Sequence, residues 1–174
     1  MKTNILDGVD IFWADTRSLT KGDGEDWLII FTIRLRQLLP DKLIVHSPQA
    51  PFFNEKSYKN GGYMKVDKEV GYLIDFYNVQ FFNQMSLEYA TYDTLFLRSD
   101  PTTKMLGTSV SELVKRGVNV KKIVIGKPVT KKNVYNTGWV DSEVLNVILS
   151  KAFLNLGWYS GLAYWEYDSD KEEE

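Results

Sequence analysis

A chain of 174 residues, 44% hydrophobic and 25% charged, is long enough to bury a core and predicts one domain. The net charge of −2 excludes the electrostatic footprint of a nucleic-acid or anionic-membrane binder. With no cysteine, disulfides and Cys-based metal sites are excluded, and no apolar run approaches the length of a membrane span. Met1 to Asn4 carry no apolar stretch of the signal-peptide kind, and the compartment stays unassigned. Aromatic residues reach 14%, with 5 Trp and 10 Tyr. That suits stacking on sugar faces, although an aromatic-rich core is the commoner use.

In chain order, Ile5 to Trp13 reads as a strand. Glu25 to Leu39 reads as a helix, because Trp27, Leu28, Phe31, Leu35 and Leu38 recur at helical spacing, and Pro40 closes it. Lys42 to Ser47 is a second strand, followed by a loop over Phe52 to Met64 and a short helix. Leu73 to Phe82 is a third strand. Ser109 to Arg116 is a helix, with Ser109 and Glu112 spaced as a capping box and Gly117 as its stop. Lys121 to Gly126 is a fourth strand, an apolar run of the kind buried on both faces. Asp141 to Leu156 is a helix ending at Gly157, and Leu162 to Tyr167 is a fifth strand. Residues 1–167 form the expected domain, and Asp168 to Glu174 a solvated acidic tail. This alternation predicts an α/β fold with a parallel sheet and right-handed crossovers, and leaves barrel and open sheet both possible.

Five segments then narrow the choice. The first strand carries Asp7-Gly8-Val9-Asp10-Ile11-Phe12-Trp13-Ala14. It resembles the Asp-Gly-x-Asp-x-Asp-x-Glu signature of glycoside hydrolase family 18, which lies on the fourth strand of an eight-stranded barrel. Asp15-Thr16 and Gly24-Glu25-Asp26-Trp27-Leu28 resemble the sequel in fungal-type chitinases. Ser47 to Pro51, Tyr77 to Gln84, Lys122 to Gly126 and Gly161 to Asp168 resemble the ends of strands five, six, seven and eight, in that order. The resemblance implies a partial (β/α) TIM-type barrel holding about strands four to eight. Five strands cannot close that barrel. Its first and last strands are then exposed edges, which predicts self-association through them.

The resemblance also implies a chemistry. Family 18 is substrate-assisted: the N-acetyl oxygen of the substrate attacks the anomeric carbon. A Glu protonates the leaving oxygen, an Asp two residues earlier orients the acetamide, a Tyr on strand six donates to it, and a Trp on strand eight forms the floor. Side chains at i, i+2 and i+4 share one strand face, so Asp10 and positions 12 and 14 point together toward the barrel mouth. Here the orienting Asp is Phe12, the acid Glu is Ala14 and the Tyr is Phe82, leaving Asp10 and Trp165 of the set. Loss of a general acid costs roughly 10²–10⁴-fold. Asp15 points the other way as an adjacent strand residue, and Asp75 and Glu166 are the candidates for a displaced acid if the strand ends bend.

Gln49, Gln80, Asn83 and Trp165 are the expected sugar-binding residues, by their place in the matched segments; alone, each reads better as a loop or packing residue. His46, the one histidine, is expected to be structural, since one histidine builds no metal site. Trp13, Trp27 and Trp139 are expected to pack. Asp10, without its partner at position 12, is expected to be a partly buried lone carboxylate. No metal or cofactor is expected. The leading expectation is a catalytically silent chitinase-like protein that weakly binds N-acetylglucosamine oligosaccharides. The alternatives are an active chitinase or endo-β-N-acetylglucosaminidase with a displaced acid, and a non-functional fragment or half-barrel needing a partner chain.

Overall fold

The structure is a computed structural model that describes residues 6–85, 89–102, 107–166 and 168. Five strands are present: β1 (Gly8–Ile11), β2 (Leu43–His46), β3 (Phe76–Gln80), β4 (Ile123–Pro128) and β5 (Leu162–Trp165). They form one sheet in the order β1-β2-β3-β4-β5, with every neighbouring pair parallel. Among the described residues the α-helices are α1 (Thr16–Lys21), α2 (Gly24–Leu38), α3 (Tyr63–Val70), α4 (Val110–Lys115) and α5 (Ser142–Leu156). The sheet curls as a half-barrel, the fold expected from the five matched segments. The acidic tail lies outside the described residues except for Asp168.

The core lies on the helix-covered side of the sheet. Tyr77 and Val79 of β3 are buried there, while Phe76, Asn78 and Gln80, at alternate positions, are only half-buried. Leu28 of α2, Tyr63 and Val66 of α3, Leu113 of α4, and Leu145 and Ile148 of α5 belong to one buried cluster with Ile123 and Ile125 of β4. All six residues of β4 are buried, as its continuous apolar run predicts for a strand covered on both faces. Gly8 is required by its neighbour: a Cβ there would stand 2.2 Å from the carbonyl oxygen of Leu43.

Strand ends differ from the sequence reading by a few residues. Of the stretch read as a strand from Ile5 to Trp13, Ile5 lies outside the described residues, and Gly8–Ile11 is the part paired with β2. β4 instead runs on to Pro128, because Lys127 and Pro128 pair with Tyr164 and Trp165 of β5. Helix α1 is an addition to the expected elements. Asp15 starts it by accepting from the backbone N–H groups of Arg17 (3.0 Å) and Ser18 (3.1 Å) and from the Ser18 hydroxyl. Helix α4 opens as expected, with Glu112 Oε2 accepting from the N–H and Oγ of Ser109.

Candidate functional site

The C-terminal ends of all five strands surround one cavity of about 270 Å³. Asp10 and Phe12 enter from β1 and its exit, Ser47 from the exit of β2, and Asn78, Gln80 and Phe82 from β3 and its exit. Gly126 and Lys127 come from β4, and Ala163, Tyr164 and Trp165 from β5. Parallel strands place all their C-terminal ends on one rim, which is why residues spread over most of the chain meet there.

One wall is aromatic. Phe12 and Trp165 face each other with ring centroids 6.0 Å apart and planes tilted by 49°. Both are about half exposed, at 53% and 47%, so their faces are available to a ligand. Phe82 is buried at the base, locked by the loop that passes over it. A Cβ on Gly138, whose φ is +100°, would lie 2.4 Å from the Phe82 Cα, so only glycine lets that loop approach so closely.

The opposite side is polar. Asp10 accepts from Ser47 Oγ at 2.6 and 2.8 Å and from Asn78 Nδ2 at 2.8 Å. This corrects the expectation of a lone, partly buried carboxylate: Asp10 is exposed and held by donors from the exit of β2 and from β3. Ser47 and Asn78 were not singled out in the sequence, because their partner lies 37 and 68 residues away. Gln80 Nε2 donates to the Ser47 carbonyl at 2.8 Å and so fixes the exit of β2 against β3.

Of the other expected site residues, Ala14 is exposed beyond the end of β1 and is absent from the lining. Gln49 forms a parallel bridge with Gln80 at the start of a 3₁₀ turn, behind the lining residues. Asn83 is also outside the lining; it accepts from the Tyr135 N–H at 2.8 Å, and its own N–H donates to Thr137 O at 2.7 Å. It therefore ties the 135–138 loop, with Gly138, to the exit of β3.

Neither Asp15 nor Asp75 is placed to act as a displaced acid. Asp15 is committed to the cap of α1. Asp75 precedes β3, at the opposite end of the sheet from the cavity, where it meets Arg36 at 2.7 Å and accepts from the Ile44 N–H at 2.7 Å. The expectation that a bent strand end could bring Asp75 to the site is corrected by that position. Glu166 follows β5 directly and is exposed, but is not among the lining residues.

Lys127 is the least expected residue at the site. It is 1% exposed, and its Nζ donates to the carbonyls of Phe81 (2.8 Å), Tyr89 (2.7 Å) and Gly138 (3.0 Å). Burial pushes its ammonium down to about 7. Against that, three acceptors call for three N–H groups, which only the protonated amine supplies. Its work is structural: one side chain gathers three loop carbonyls beneath Phe82.

His46 is fully buried and lies behind the site. Thr32 Oγ1 gives its single proton to Leu28 O at 2.6 Å, so toward His46 Nε2, at 3.2 Å, it accepts. That assigns the proton to Nε2 and leaves Nδ1 to accept from the Tyr63 hydroxyl at 3.3 Å. Burial pushes the imidazole down to about 4, and burial first, then the Asp10 charge, pushes the Tyr63 hydroxyl up. Trp13 and Trp27 stack on each other at 4.4 Å, with Trp27 itself 45% exposed, and Trp139 donates to Val129 O at 3.2 Å. Among the described residues no cluster of His, Cys, Asp or Glu could hold a metal ion, and no helix is long and apolar enough to cross a membrane.

A parallel half-barrel with an aromatic-walled cavity at its C-terminal rim, built on Asp-Gly-Val-Asp, defines the C-terminal part of a family 18 chitinase-type barrel. Solved structures agree. A family 18 chitinase from Pseudoalteromonas aurantia matches with a TM-score of 0.70 at 30% identity, over 95% of this chain and 57% of that one. A chitinase from Aspergillus fumigatus matches with a TM-score of 0.63 at 22% identity, over 93% and 51%. A family 18 chitinase from Cycas revoluta, solved with allosamidin, matches with a TM-score of 0.57 at 15% identity, over 95% and 65%. The chain thus spans between half and two thirds of the length of these relatives. No protein-family profile and no curated protein sequence matches it. The chain is a chitinase-like, partial domain of the family 18 fold.

Proposed function

We propose that the chain is a glycosidase-inactive, chitinase-like domain whose rim cavity weakly binds N-acetylglucosamine oligosaccharides. The observation that carries this reading is the pairing of an aromatic wall, Phe12 and Trp165, with a polar side of Asp10, Ser47, Asn78 and Gln80 in one cavity. Sugar rings present an apolar face and a rim of hydroxyls, and such a cavity offers a surface for each. The allosamidin complex of the Cycas revoluta chitinase supports a carbohydrate ligand for this fold.

The catalytic half of the reading rests on what stands at the family positions. Ala14 has no proton to give a leaving oxygen, and Phe12 has no charge to oppose a developing cation. Phe82 keeps the ring of the family Tyr without its hydroxyl. Gln49 and Asn83 support the site at one remove, through the Gln80 bridge and the 135–138 loop.

Titration with chitotetraose, followed by tryptophan fluorescence, tests the binding claim. The expected result is saturation around the millimolar range or slightly tighter, corresponding to about −4 to −5 kcal/mol, and its loss in Trp165→Ala. Trp165 is half exposed, so that substitution should leave the fold intact. An equal response in Trp165→Ala removes the binding role. Release of fluorophore from chito-oligosaccharide substrates at the rate of an ordinary chitinase removes the inactive reading, and Glu166→Gln would then identify the acid.

A further inference from the structure

The donors and acceptors of the rim cavity do not balance. The Ser47 hydroxyl proton and one N–H of Asn78 are spent on Asp10, and one N–H of Gln80 on the Ser47 carbonyl. The side chains of Phe12 and Phe82 bring no polar atom. Asp10 is exposed, and among the described residues no lysine or arginine pairs with it. A carboxylate offers about four lone-pair sites, and Ser47 and Asn78 fill only part of them, so acceptor capacity is left over. The other charged residue of the lining, Lys127, does not offset this. It shares a strand face with Ile123 and Ile125 of the core, and its Nζ is enclosed by the carbonyls of Phe81, Tyr89 and Gly138. Beside Asp10 in the same lining, the half-exposed ring of Phe12 stands against that of Trp165. A carboxylate without a counter-charge, next to open aromatic faces, selects a cation.

We propose that this cavity is selective for free amino sugars: its preferred ligand carries an unacetylated, protonated 2-amine that sits on Asp10 against Phe12 and Trp165. The inference rests on the reading of the cavity as a sugar site, and ranks glucosamine units above N-acetylglucosamine there. An ammonium has three donors and no acceptor, which matches what Asp10 leaves open. An acetamide is neutral and brings a carbonyl oxygen that needs a donor, and neither Phe12 nor Phe82 has one to give. A hydroxyl in the same place, as in a glucose unit, can donate but carries no charge. The amine gains a charge-assisted hydrogen bond and a cation–π contact that neither neutral group makes, together about tenfold in affinity at an exposed site.

Tryptophan fluorescence of the intact chain at pH 6.5 tests this, with the glucosamine tetramer, chitotetraose, cellotetraose and tetralysine as titrants. The glucosamine tetramer should bind about tenfold tighter than chitotetraose or cellotetraose. Asp10→Asn keeps the shape and an acceptor for Ser47, and should bring the glucosamine tetramer down to the level of chitotetraose. Phe12→Leu, at a half-exposed ring, should cut the preference by about threefold. Denaturant midpoints report whether each variant keeps its fold. Chitotetraose binding as tightly as the glucosamine tetramer, and lost in Trp165→Ala, overturns the amine selectivity and leaves the sugar site standing. A preference undiminished in Asp10→Asn, or in Phe12→Leu should the first variant unfold, assigns it to the net charge of −2 at large and overturns the proposal. Tetralysine binding as tightly as the glucosamine tetramer, with the same dependence on Asp10, overturns the choice of a sugar. No response to any of the three sugars removes the sugar site itself, and the proposal with it.

Discussion

Acidification from pH 7 to pH 4 should destabilise this protein through one residue. His46 is the only histidine, and its buried imidazole is neutral, with Nε2–H donating to Thr32 and Nδ1 accepting from Tyr63. Protonation would place a second N–H on Nδ1, against the hydroxyl that now donates to it. Burial therefore pushes the folded-state value down from 6.5 to about 4. In the unfolded chain the same ring titrates near 6.5, so between those values the unfolded state binds more protons and stability falls as pH falls. The contribution is intact above pH 6.5, declines by about 1.4 kcal/mol per pH unit across the window, and levels off below pH 4 after a total of about 3 kcal/mol. Urea unfolding curves at half-unit steps from pH 7.5 to 4 measure it. His46→Gln removes the titrating group and should flatten the curve between pH 6.5 and 4.5, whatever its own stability at pH 7. Nitrogen-15 NMR of the single imidazole should report a neutral Nε2–H tautomer at pH 6. A variant with the same pH slope as the parent, or an imidazolium signal at pH 6, would refute the argument.

Two more outcomes follow from the site. Lys127→Met should strand the carbonyls of Phe81, Tyr89 and Gly138, and chemical denaturation should show a loss of about 2–4 kcal/mol, since relief of the buried charge offsets part of the cost of about 1–3 kcal/mol per group. A variant as stable as the parent would mean those loops are held by other contacts. Phe12→Asp, Ala14→Glu and Phe82→Tyr combined should restore fluorophore release only when three βα units are fused ahead of Leu6; release by the isolated chain would show that the half-barrel is a sufficient scaffold.

Local chemistry made much of this protein readable. Helices α2 and α5 announce themselves by apolar spacing, α4 by Ser109 and Glu112, and β4 by an apolar run that ends fully buried. These signals lie within a few residues of one another, so a one-dimensional reading contains them. The matched strand ends carried the parallel order and the rim on which Asp10, Phe12, Gln80, Phe82 and Trp165 meet. Tertiary structure alone decided which polar groups became partners. Asp10 looked isolated because its family neighbour is Phe12, yet Ser47 and Asn78 reach it from β2 and β3. Asp75 looked like a spare acid, and the sheet's polarity put it at the wrong end, beside Arg36. Lys127 gave no sign in a strand sequence that it would bind three carbonyls from separate loops. The physical reason is common to all three: a side chain's hydrogen-bond partners depend on which strands lie side by side and in what register, and that is set only when the sheet assembles.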